Sequence, residues 1–172
     1  MTKGDIDDMK NTTTMKKIMA VLLIIVMAMG MAACGNNGGG ADTVGGILVE
    51  EFKANSDGTP QEIADKLLTN EIIAFPGATM PVEPGLLAGF DNAEIKGFEE
   101  GVMFSPMMGT IPFVGYIFTL EEGTDVESFK QTLQDNANLR WNICTEAEEL
   151  VVENVDNKVF FLMCPKSFDE AE

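Results

Sequence analysis

Three cysteines, 28 carboxylates and no histidine are the chemistry-bearing side chains of this 172-residue sequence. Without imidazole the usual general base near neutral pH is missing, as is the commonest transition-metal ligand. Cys144 and Cys164 are too far apart to form a Cys-x-x-Cys redox motif. In an oxidising compartment they can pair as a structural disulfide, and in a reducing one they stay as two small buried thiols; the sequence leaves both open. The acidic groups Glu99-Glu100, Glu121-Glu122 and Glu146 with Glu148-Glu149 lack the alternating ligand order of a calcium loop, and Asn55-Ser56-Asp57-Gly58 has only its beginning. They read as a solvated acidic face. Any two of them could be nominated as a glycosidase pair, so the nomination carries no information. Met103, Met107 and Met108 offer thioethers to a soft metal but have no histidine beside them, and read as adaptable core packing. Ser105-Pro106 is not a nucleophile elbow, and Gly38-Gly39-Gly40 lacks the lysine of a phosphate loop. Trp141, Tyr116 and Phe113 read as core aromatics before they read as a ligand groove. The expectation is no catalytic residue, no metal ligand and no cofactor.

Cys34 stands apart because of what precedes it. Met15-Lys16-Lys17 leads into an uncharged apolar run of 16 residues, Ile18 to Ala33, which ends in Met31-Ala32-Ala33-Cys34-Gly35. A positive start, an apolar middle and small residues before a cut site mark a secretory leader. The run is short of the roughly 20 residues needed to span a bilayer, and no basic flank follows it. With Ala32-Ala33-Cys34 at its end, the segment resembles the lipobox of bacterial prolipoproteins. That resemblance implies a diacylglyceryl group on the Cys34 thiol, cleavage before it, and a mature chain anchored on the outer face of the cell membrane. Residues 1–33 are then a signal peptide, and residues 34–46, rich in Gly and Asn, a flexible spacer.

The charge is distributed in keeping with this division. Overall, 11 basic side chains face 28 acidic ones, a net −17. Residues 1–33 hold four Lys and three Asp, so from Cys34 onward seven basic residues face 25 acidic ones, a net −18. Such a surface repels phosphate backbones, and nucleic acid is excluded as a partner. Apolar residues make up 45%, enough for a packed core.

The elements that would position any site begin, on this reading, after the spacer, in one domain over residues 47–167 with an acidic tail at 168–172. Thr59-Pro60-Gln61-Glu62 spells a capping box with proline at the first helical position, and Ile63, Leu67 and Leu68 give the helix an apolar face. Pro81, Pro84 and Gly85 predict an irregular stretch. Val102–Met108 and Phe113–Leu120 read as strands, the second apolar on both faces and therefore central in its sheet. Thr124-Asp125-Val126-Glu127 reads as a second capping box with Thr124 as cap, opening a helix with the stripe Val126, Phe129, Leu133, Ala137. Leu150–Val155 and Lys158–Cys164 flank Asp156-Asn157, the signature of a tight hairpin. The order ββαββ, preceded by a helix, predicts an α+β domain: an antiparallel sheet with helices on one face.

A strand pair, a helix opening at Thr124 and a terminal hairpin, set behind a lipobox and a Gly/Asn spacer, resemble uncharacterised lipoproteins of Gram-positive anaerobes, known as a domain of unknown function. The likeness covers about Glu94 to Cys164 and implies no activity and no functional residues. The functional expectation is a non-enzymatic binding module, attached to the membrane by lipid and meeting a protein, peptide or small-ligand partner. An accessory carboxylate hydrolase and a structural surface protein without a discrete ligand site are the alternatives.

Overall fold

The structure is a computed structural model and describes residues 40–108 and 110–168; the expected leader and Cys34 lie outside the described residues. Helix α1 spans Val44–Ala54, with the Thr43 side chain capping it by accepting from the Gly46 N–H. The expected spacer is therefore shorter than residues 34–46, because Val44, Gly45 and Gly46 are buried in the first turn of this helix. Glycine is a poor helix former, but here tertiary packing outweighs propensity: a Cβ at Gly45 would meet Glu149 and Val151, each at 2.8 Å. Helix α2, Pro60–Leu68, carries the full Thr59/Glu62 capping box and buries Ile63, Ala64 and Leu67.

Seven strands follow: β1 (Gly77–Val82), β2 (Gly85–Leu86), β3 (Glu94–Ile95), β4 (Phe98–Pro106), β5 (Val114–Leu120) and, after helix α3 (Val126–Asn136), β6 (Glu149–Val155) and β7 (Lys158–Cys164). Five form an antiparallel sheet in the order β1-β4-β5-β7-β6, with β5 at its centre as its two apolar faces require; β2 and β3 make a separate short ribbon. The stretch expected to be irregular from its prolines thus contains β1. An edge strand tolerates Pro81 because only one of its sides has to supply ladder hydrogen bonds. Asp156, at φ 51°, turns the β6–β7 hairpin, which closes on the pair Val155 and Lys158.

The domain is α+β, and both faces of its sheet are covered. Alternate residues of β5 part company: Phe113, just before the strand, and Ile117 join one core cluster, while Tyr116 and Phe118 join the other. Phe98 and Val102, both on β4, also fall in different clusters, because a register shift between Phe98 and Glu100 reverses the alternation. Helices α1 and α2 share one face, where Phe52 stacks on Phe160 at 5.3 Å. Helix α3 covers the other, with Phe129 edge-on to Phe118 at 5.4 Å. The expected single helical face is met by α1 and α2 alone, since a central strand with two apolar faces needs cover on both. The cap of α3 also shifts by one residue. Asp125 accepts from the Ser128 N–H at 2.8 Å, while the Thr124 hydroxyl is committed to the Gly97 carbonyl at 3.0 Å. At the C-terminus the expected tail loses its first residue to the core, because Phe168 packs edge-on to Phe75 at 5.5 Å. Among the described residues no helix is long and apolar enough to cross a membrane.

Candidate functional site

Antiparallel pairing brings the start of β1, the end of β4, the start of β5, the start of β6 and the end of β7 to one end of the sheet. The loops there are tied to one another. The Met107 N–H donates to the Pro76 carbonyl at 2.9 Å. The Thr145 hydroxyl donates to the Thr110 carbonyl at 2.7 Å, and the Lys166 N–H to Glu148 Oε2 at 2.9 Å. Helix α1 begins at the same end, its Val44 N–H bonded to the Lys166 carbonyl at 3.0 Å.

These loops enclose an open groove of about 520 Å³. Ala74, Ile111, Pro112, Pro165 and Phe168 give it an apolar lining, and Thr110, Thr145 and Glu148 bring polar groups to it. Its size and mixed lining suit a small ligand with an apolar body. Ile111 and Phe168 pack against the core beneath, so this side of the groove is held by the folded domain. No local pattern marks the groove in the sequence, because its lining comes from four separate loops.

Beside the groove, the buried Glu149 is the carboxylate that most resembles a catalytic group. It does not line the groove. Its Oε2 accepts from the Gly45 N–H at 3.2 Å and lies 3.9 Å from Cys164 Sγ. The arrangement satisfies the first turn of α1, where backbone N–H groups lack intrahelical partners. Cys164 is buried and Cys144 exposed, and both are free thiols. Burial first, and then the Glu149 charge, pushes the Cys164 thiol well above its ordinary range, which removes the nucleophilic thiolate.

The remaining candidates are dispersed. Phe113 and Tyr116 lie in opposite core clusters and line no common groove with Trp141. The Tyr116 phenol donates to the Ala88 carbonyl at 2.8 Å, and burial raises its pKa far above the ordinary value. Met103 is partly buried against the core, 3.4 Å from that phenol, but Met107 and Met108 are exposed, contrary to their reading as core residues. Both follow the end of β4 at Pro106, where the chain has left the sheet and these side chains reach solvent, so composition alone misplaced them. Among the described residues no three His, Cys, Asp or Glu side chains converge as a metal site. No protein-family model, curated protein or solved structure matches this chain.

Proposed function

We propose that this chain is a non-enzymatic binding module, held by a lipid on Cys34 at the outer face of a bacterial membrane, with the groove at the loop end of the sheet as its ligand site. The observation that carries the binding reading is the groove itself, about 520 Å³ with an apolar lining and a few polar groups. Support for the anchor comes from Ala32-Ala33-Cys34 after the 16-residue apolar run. Glu148 in the lining and the net −18 from Cys34 onward disfavour anionic ligands. A neutral or cationic molecule with an apolar body is the class that fits.

Two measurements test the parts separately. Metabolic labelling with a fatty acid should mark the wild type and be lost in Cys34→Ser, and a label that survives that substitution would reject the anchor. Titration with Nile red, a neutral apolar dye, should show saturable binding that Ala74→Phe blocks by filling the groove from an exposed position. Dye binding that is absent, or indifferent to Ala74→Phe, would reject the groove. Turnover of peptidoglycan fragments, glycosides or esters, abolished by a single Asp or Glu substitution, would replace the binding module with a carboxylate hydrolase.

A further inference from the structure

Five large apolar side chains are strongly exposed among the described residues: Met80, Leu86, Met107, Met108 and Ile143. The last three are 64%, 87% and 91% exposed. They belong to two loops at the groove end of the sheet, which the Thr145–Thr110 hydrogen bond holds together. The chain also enters the domain at this end, where Val44 is bonded to Lys166. Val44 lies ten residues on from Cys34, and such a segment spans at most roughly 35 Å when fully extended. An anchor at Cys34 would therefore hold this end of the domain within roughly 35 Å of the membrane.

We infer that the loop end rests on the bilayer that holds the anchor, with Met107, Met108 and Ile143 entering the boundary between headgroups and acyl chains. The inference rests on the lipid-anchor reading of Cys34. Its occupant is the lipid surface, because the chain's entry point and its exposed apolar loops lie together. Apolar side chains at a membrane boundary gain by leaving water, as they do in a protein core. Charge opposes the contact. Glu146, paired with Arg140 at 3.4 Å, and Glu148 lie in the same loop region, with Lys166 close by, and the chain from Cys34 onward is strongly acidic. The seating is consequently apolar in origin. It favours zwitterionic over anionic lipid, and added salt should not weaken it.

Trp141, the only tryptophan in the chain, lies two residues from Ile143 and serves as a built-in probe. The full chain, purified from bacterial membranes, is reconstituted in phosphatidylcholine vesicles with brominated acyl chains. Flotation with the vesicles reports the anchor, and quenching of Trp141 by bromine reports seating. The expected result is flotation with quenching that persists at high salt. In the Met107→Ser/Met108→Ser/Ile143→Ser variant, flotation should be unchanged and quenching should fall about tenfold toward the lipid-free level. Flotation without quenching would overturn the seating and leave the anchor reading intact. Loss of flotation together with loss of label on Cys34 would overturn the anchor and, with it, the seating. Quenching unchanged in the triple variant would remove these three side chains as the contact. A Trp141 signal that shifts only with protein concentration would assign the patch to a second copy of the chain.

Discussion

Glu149 Oε2 accepts a hydrogen bond at 3.2 Å from the backbone N–H of Gly45, 104 positions earlier in the chain. One contact thus joins the start of α1 to the start of β6 and closes the sheet end on which the groove sits. A carboxylate suits this position because the first turn of a helix offers unpaired N–H groups and partial positive charge.

Gly45→Ala tests the closeness of that approach. Helix propensity alone would make alanine the better residue by about 1 kcal/mol. Here its methyl would meet Glu149 Oε2 and Val151 Cγ2, each at 2.8 Å, and overpacking of this kind typically costs about 1–3 kcal/mol. The urea midpoint should therefore fall. Glu149→Leu should also destabilise, by about 1–3 kcal/mol, because it leaves the buried Gly45 donor unpaired. Glu149→Gln, which keeps an acceptor, should cost less. A higher midpoint for Gly45→Ala would contradict the packing described.

Gly115 tests the central strand in the same way. The Phe104 ring lies over it, and a Cβ there would fall 2.1 Å from Phe104 Cζ. Gly115→Ala should cost about 3 kcal/mol or more, since strand backbone on both sides prevents retreat. Adding Phe104→Leu should recover part of that loss, giving a coupling energy of about 0.5–3 kcal/mol between the two sites. Strict additivity in the double variant would place the ring elsewhere.

The thiols make a kinetic prediction. In Cys34→Ser, Cys144 should react with a thiol reagent within the mixing time scale of an exposed cysteine, and Cys164 only as the protein unfolds, because one is exposed and the other buried. Mass mapping of the modified peptide after brief labelling distinguishes them. A protein that takes up no reagent until it is reduced would instead carry the Cys144–Cys164 disulfide.

Acid should weaken two helix starts. Hydrogen bonds from the backbone and hydroxyl of Thr59 hold Glu62 below the usual carboxylate range. The Ser128 backbone and side chain do the same for Asp125. A carboxyl group with a depressed folded pKa stabilises above its unfolded pKa, and that contribution is lost as pH falls through the folded value. Stability should thus decline on the acid side of the carboxylate range, and Asp125→Asn should flatten that limb while changing the neutral midpoint less. Parallel acid limbs for wild type and Asp125→Asn would show that the cap contributes nothing through its charge.

Local patterns in the sequence were enough to place α2, the two apolar faces of β5 and the β6–β7 hairpin. Each rests on interactions among neighbours in the chain: Thr59 with Glu62, the two-residue alternation from Phe113 to Leu120, and a turn at Asp156-Asn157. The proposed leader and its Cys34 rest likewise on contiguous composition, and lie outside the described residues. Tertiary structure decided the remainder. The two glycines in the first turn of α1 speak against a helix by propensity, and the turn is held by Glu149 and Lys166 from the far end of the chain. Pro81 speaks against a strand until β1 is seen to lie at the edge. Asp125, rather than Thr124, caps α3 because the Gly97 carbonyl, 27 residues away, takes the threonine hydroxyl. The groove and the exposed trio Met107, Met108 and Ile143 exist only once antiparallel pairing gathers separate loops at one end of the sheet. Contacts between residues far apart in sequence leave no periodicity, so only the folded chain could reveal them.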